Sequence, residues 1–282
     1  MNLILDPLTF PFFVRALAAS AIVGLVCATV GSFLVLRGMA FMGDALSHSA
    51  FPGVVAAYLI GAPFYFGASI AAVGTALAIG WVTRQGKIRG DTAIGVLFAG
   101  MFALGVFMLS MINNYVGELS GFLFGEVLGI GLSDLISLAV LAALVLAIVA
   151  LLWKELLYST FDPLGAAASG LPVGRLDYLM LALIALTIVI SLQSVGIILV
   201  VAVLVTPAAT AQLISRSFGR LVVIAGAMGV VCPIIGLYAS FWLNSATGAT
   251  IVLIETSGFF LVLVGTSIAS RLRRPEPEAP AA

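Results

Sequence analysis

Residues 37–53 read Arg37-Gly38-Met39-Ala40-Phe41-Met42-Gly43-Asp44-Ala45-Leu46-Ser47-His48-Ser49-Ala50-Phe51-Pro52-Gly53, and they set a carboxylate and the chain's only histidine inside an otherwise apolar segment. On a helix Asp44 and His48 are four residues apart and share one face, about one turn from each other. An ionisable side chain at the centre of a membrane span costs about 3 kcal/mol on insertion scales unless a partner, a cavity or water receives it, so it reads first as functional. Imidazole and carboxylate are also both good ligands for first-row transition metals. The competing reading has Asp44 bonded to backbone or serine hydroxyls at a helix interface, and His48 as a satisfied interior histidine. Pro52-Gly53 reads as a helix kink.

The rest of the chain supplies the setting. Of 282 residues 62% are hydrophobic and 9% charged, and the mean hydropathy is +1.26, values that exclude a water-soluble domain of this length. The fold class is therefore an all-α polytopic membrane protein embedded in lipid. Lys+Arg and Asp+Glu balance at 12 each, so net charge gives no reason to expect a nucleic-acid partner. Cys27 and Cys232 both lie in apolar runs, where a free thiol behaves as a small hydrophobe, and no disulfide is expected. The first eleven residues lack the basic start and small-residue cleavage site of a signal peptide, so the first span is expected to stay in the mature chain.

Apolar runs of about 20 residues, the length that crosses the hydrocarbon core, fall at about 12–36, 39–60, 65–82, 92–112, 135–152, 178–192, 195–214, 221–243 and 249–268. That predicts eight to nine transmembrane helices, most simply nine. The piece from Tyr115 to Gly131, with Glu118 and Glu126, is too short and polar for a crossing and reads as interfacial or re-entrant. Asp91, Ser133-Asp134 and Asp177 sit where helix caps are expected, and Thr206-Pro207 predicts a tolerable kink in the seventh span. Residues 1–270 form one transmembrane domain with a polar connection at about 155–177, and residues 271–282 a polar, disordered tail.

Charge sets the orientation. The loops after the first, third, fifth and seventh spans, together with the C-terminal end, hold eleven of the twelve basic residues, and the opposite loops hold none. By the positive-inside rule the N-terminus is outside and the C-terminus cytoplasmic. The second span then enters from the cytoplasm at Met39, and at about 1.5 Å per residue His48 lies roughly 13 Å deep, near the midplane. One Asp and one His are fewer ligands than zinc or manganese takes. A symmetric pair of chains with both second spans at its axis supplies two of each, which predicts a two-fold pore. Glu255, about 10 Å from the outer end of the ninth span, reads either as lining an outer vestibule or as snorkelling to the surface.

Several short motifs occur in a fixed order: Leu36-Arg37-Gly38-Met39-Ala40, Gly43-Asp44-Ala45-Leu46-Ser47-His48 with Pro52-Gly53, and Asp91-Thr92-Ala93-Ile94-Gly95. Leu123-Phe124-Gly125, Val195-Gly196, Thr206-Pro207-Ala208-Ala209-Thr210-Ala211 and Gly248-Ala249-Thr250-Ile251-Val252 follow. From about Leu36 to Leu263 the chain resembles the membrane-spanning permease subunits of bacterial ABC importers for manganese, zinc and related divalent metals. The resemblance implies the vitamin/metal-importer bundle in the bacterial inner membrane. It also implies a homodimer, a separate cytoplasmic ATPase on each half that holds the ATP, and an extracytoplasmic metal-binding protein. Asp44 and His48 would coordinate the passing Mn2+ or Zn2+, with no permanently bound cofactor. The connection carrying Phe161, Asp162, Pro163, Ala166, Gly170, Leu171 and Pro172 would dock in an ATPase groove. Ile254-Glu255-Thr256 departs from the family's unbroken apolar run.

The residues agree with that placement in one respect. ATP hydrolysis needs a phosphate-cradling G-x-x-x-x-G-K-[ST] loop, and neither Lys87 nor Lys154 sits in one. The chain is thus expected to be a transport subunit rather than an enzyme. A proton-coupled secondary metal transporter would also use a buried Asp and His but usually shows inverted repeats, and no convincing halves are visible. An intramembrane protease needs paired aspartates or a zinc motif such as H-E-x-x-H, and a vitamin or siderophore permease has no use for Asp and His one turn apart. The Gly-Asp-Ala-Leu-Ser-His wording with Pro52-Gly53 looks more like the manganese branch than the zinc branch.

Overall fold

The computed structural model describes residues 5–111 and 129–272, and within them every regular element is a helix. α1 (Leu5–Leu8) is a short lead into α2 (Pro11–Leu36), where Pro11 occupies a first-turn position that needs no backbone N–H donor. α3 (Phe41–Ser49) and α4 (Phe51–Ile60) follow, then α5 (Phe64–Arg84), α6 (Gly90–Ser110) and α7 (Leu132–Leu151). α8 (Trp153–Phe161) and α9 (Pro163–Ala168) lead into α10 (Val173–Val195), α11 (Ile197–Ile214), α12 (Phe218–Leu243) and α13 (Thr247–Leu272). Seven of these, α2, α5, α6, α7, α10, α12 and α13, are long and apolar enough to cross a membrane. α11, and α3 with α4, are the two remaining segments read as crossings from the sequence.

α2 is the central helix. Phe13, Val23, Val26, Val30, Phe33 and Leu34 are almost wholly buried along it, and it packs against α7, α10, α11 and α12. In lipid the apolar drive between helices is weak, so close approach depends on small residues. Gly24 and Gly229 supply this between α2 and α12: a Cβ on either would run into the other's carbonyl oxygen. Gly53 and Gly67 do the same between α4 and α5.

The second span is interrupted rather than continuous. α3 ends at Ser49 and α4 begins at Phe51 because Pro52 has no N–H to give the carbonyl one turn back. Ladder bonds continue on both sides, from Ala50 N–H to the Leu46 carbonyl and from Val54 N–H to the Ala50 carbonyl, each 3.1 Å. Two of the expected caps take other places. Asp91 lies inside the first turn of α6, whose cap position is Arg89, and Asp177 lies within α10. Asp134 does close its turn, accepting the Gly131 N–H at 3.2 Å. Both cysteines are free, and Cys27 Sγ lies 3.1 Å from the Ser191 hydroxyl. The interfacial segment with Glu118 and Glu126, the Leu123-Phe124-Gly125 motif and the polar tail from Arg273 onward fall outside the described residues.

Gly24→Val places a branched side chain against the Gly229 backbone and is expected to cost about 3 kcal/mol or more. Membrane-extracted folded protein should fall sharply and its thermal midpoint drop, whereas wild-type yield and melting would show that α2 and α12 do not meet there.

Candidate functional site

α3 divides into two faces. Met42, Ala45, Leu46 and Ser49 are buried, while Phe41, Asp44 and His48 point to the other side. Asp44 lies in the first turn and His48 in the last, which suits the helix dipole at each end. The Asp44 side chain is 50% exposed and that of His48 25%. Their nearest approach, His48 Nε2 to Asp44 Oδ1, is 3.6 Å, beyond hydrogen-bonding distance. It is close to the spacing of two donors on one ion, since metal–ligand bonds of about 2.1 Å set adjacent tetrahedral donors roughly 3.4 Å apart.

The adjacent serines do not occupy these groups. Ser47 and Ser49 donate to the Gly43 and Ala45 carbonyls at 2.8 and 2.6 Å, within the helix. The reading of Asp44 as a carboxylate bonded to serine hydroxyls therefore fails. No group of three or more His, Cys, Asp or Glu side chains is assembled among the described residues, so one chain offers an ion two ligands.

α6 walls the other side of the imidazole. The His48 ring centroid is 5.4 Å from Phe98 and 5.3 Å from Phe102, with ring planes at 61° and 83°. His48 Nδ1 is buried without a hydrogen-bond partner among the described residues. The sequence reading missed both phenylalanines, because an aromatic pair at i and i+4 looks like any lipid-facing stripe.

At the basic end of the bundle four separated segments meet through Arg37, Arg84, Thr160 and Asp177. Its Oδ1 accepts from Arg37 Nη1 at 3.1 Å and its Oδ2 from Arg84 Nη2 at 2.9 Å. Arg37 also donates from Nε and Nη2 to the Thr160 hydroxyl, at 3.2 and 3.0 Å, and the Arg84 guanidinium lies 4.8 Å above the Tyr178 ring centroid. Burial lowers the Arg37 pKa from its ordinary value, and the Asp177 charge and hydrogen bond work against that lowering. An open cavity of about 230 Å3 adjoins the cluster, between Met39, Ile79, Thr83 and Leu181. The ends of α2 and α5, α8 and the start of α10 thus share one side of the molecule.

The connection between α7 and α10 is ordered as short helices. α8 ends at Phe161, Asp162 Oδ1 accepts the Gly165 N–H at 2.8 Å to start α9 at Pro163, and Ala166 is buried. Gly170 takes a left-handed φ of +83°, and Leu171 and Pro172 lead into α10. Phe161 and Leu164 are exposed. Glu255 is neither in a vestibule nor snorkelling: on α13 it is 0% exposed, and neither carboxyl oxygen finds a hydrogen-bond partner among the described residues. The sequence expectation is corrected there, because α11 and α12 pack over α13 and bury its Glu255 face.

An all-helical bundle with seven helices of membrane-crossing length, and one charge-bearing segment broken within it, defines a polytopic membrane protein. The chain belongs to the ABC 3 transport family, whose model matches residues 9–266. It is similar to the manganese transport system membrane protein MntC of Listeria monocytogenes, 44% identical over 255 residues, 90% of this chain and 91% of that one. The chelated iron transport system membrane protein YfeD of Yersinia pestis is 41% identical over 263 residues, 93% of this chain and 88% of that one. Among solved structures, a chain of PsaBC from Streptococcus pneumoniae in complex with Fab superposes with a TM-score of 0.86 at 33% identity, covering 97% of this chain and 99% of that one.

Asp177→Asn removes the charge that joins Arg37 to Arg84. Allowing for partial exposure of the cluster, stability should fall by about 1–2 kcal/mol, read as a lower thermal midpoint in detergent. An unchanged midpoint would show that the cluster does not hold these helices together.

Proposed function

We propose that the chain is the permease subunit of an ATP-driven manganese importer, in which two copies enclose a central passage and Asp44 and His48 of each contact the ion. The half-exposed Asp44 carboxylate on an open apolar face is the observation that carries this reading. Hydrocarbon against that face would leave a charge unpaid for, whereas a second copy of the face turns it into the wall of a polar passage. Two carboxylates then offset the ion's charge of +2, and two imidazoles replace part of its lost hydration. The ion is held briefly and released when the two α3 helices move apart.

The named activities of the 44% and 41% identical relatives, manganese and chelated iron transport, support a transition-metal substrate. Manganese is preferred over zinc on the MntC likeness and the Gly43–His48 wording. Exposed Phe161 and Leu164, beside the Asp162-capped turn, offer an apolar knob to a separate ATPase, and an extracytoplasmic binding protein delivers the ion. In the bacterial inner membrane the basic end that gathers Arg37 and Arg84 faces the cytoplasm, with the N-terminus outside.

Asp44→Ala and His48→Ala should each leave membrane insertion and ATPase assembly intact while reducing radioactive manganese uptake by about a hundredfold, and competition with unlabelled zinc should displace manganese poorly. Full uptake in both variants would remove these residues from the pathway. Uptake that collapses with an uncoupler while ATP is maintained would instead favour proton coupling. For orientation, Lys87→Cys should react with a membrane-impermeant maleimide only after cells are opened, and Ala62→Cys in intact cells. The reverse pattern would invert the topology.

A further inference from the structure

A metal-binding histidine ordinarily donates its second ring N–H to a carboxylate, a backbone carbonyl or a water, which fixes the tautomer and aims the free lone pair at the ion. His48 has no such oxygen partner among the described residues. Its Nδ1 is buried, and the imidazole ring makes T-shaped contacts with two aromatic rings. Phe98 and Phe102 lie one turn apart on α6 with ring planes only 23° from parallel and centroids 6.2 Å apart, and the imidazole stands steeply to both.

We propose that Phe98 and Phe102 are positioning residues for His48: their ring faces receive the Nδ1–H, hold that tautomer, and leave the Nε2 lone pair turned towards Asp44 and the passing metal ion. This rests on the reading of Asp44 and His48 as metal ligands. The sign of the ring quadrupole decides the tautomer. An aromatic face is negative, so a buried Nδ1–H against it is attracted and an Nδ1 lone pair in the same place is repelled. An N–H against an aromatic face is a weak but recurring hydrogen bond. The opposite tautomer would lose that contact and place a proton on Nε2, where the ion must bind.

The break between α3 and α4 packs against this wall. Gly105 of α6 sits against Phe51 and Pro52, so close that a Cβ there would lie 3.0 Å from the Pro52 nitrogen. A proline nitrogen has no hydrogen, which lets α6 press against the break without stranding a donor. Phe51 in turn lies 6.1 Å from Phe102. These contacts set α6 against the α3–α4 break beside its two rings.

His48 is the chain's only histidine, so a full-length, tag-free chain grown with 15N,13C-histidine gives a single imidazole signal in lipid nanodiscs. At alkaline pH without metal, the ring shifts should report a proton on Nδ1 and none on Nε2. In Phe98→Leu/Phe102→Leu the signal should move to a mixture of tautomers, and Phe102→Tyr, which keeps a π face, should restore the wild-type spectrum. In whole cells the double leucine variant should raise the manganese KM about tenfold with Vmax within about twofold.

A wild-type proton on Nε2 overturns the proposal, and so does an unchanged spectrum in the double variant. If the double variant does not fold, the wild-type tautomer alone decides. Failure of the underlying reading looks different: His48→Ala would then keep full uptake while the wild-type spectrum still shows the Nδ1–H form.

Discussion

The architecture rests on keeping a carboxylate and an imidazole out of hydrocarbon within an otherwise apolar bundle. A lipid-facing pair would carry an insertion cost of about 3 kcal/mol for each charge. The chain resolves this by placing Asp44 and His48 on the one face of α3 that its own core does not cover. Their 3.6 Å separation is too wide for them to satisfy each other and near the span of two ligands on one ion. One chain offers an ion only these two ligands among the described residues, and the proposed second copy would double that number.

The surrounding architecture serves that face. α2 forms a rigid spine because glycines let α12 come to backbone contact, and α3 hangs from its end through the turn at Arg37-Gly38. Arg37 is the junction where this support meets the basic end: it reaches Asp177 on α10 and Thr160 on α8, and α8 leads directly into the Asp162-capped α9. One guanidinium thus ties α8 to the end of α2 from which the turn into α3 begins. Beyond the site, Pro52 lies at the α3–α4 break, where Gly105 of α6 packs against it.

Much of this was legible in the sequence, and the parts that were not share a cause. Helix positions followed from apolar run lengths, and the Asp44–His48 face from a spacing of four, because both are local properties of the chain. The Pro52 break was readable for the same reason. Asp177 was not: it looked like a cap, and only the fold brings it to Arg37 and Arg84, 140 and 93 residues away. Phe98 and Phe102 were hidden in a helix apolar on every side, where no periodicity separates a ring facing lipid from one facing a histidine. Glu255 was seen as unusual but misplaced, since burial on α13 depends on which helices cover it.

The central claim is that two copies bring their Asp44 and His48 side chains around one ion. A cryo-EM structure of the assembled transporter trapped with manganese tests this most directly. The account predicts density for a single ion on the two-fold axis, ligated by Asp44 and by His48 Nε2 of both copies. An ion bound elsewhere along the passage, or Asp44 and His48 facing lipid away from that axis, would contradict it.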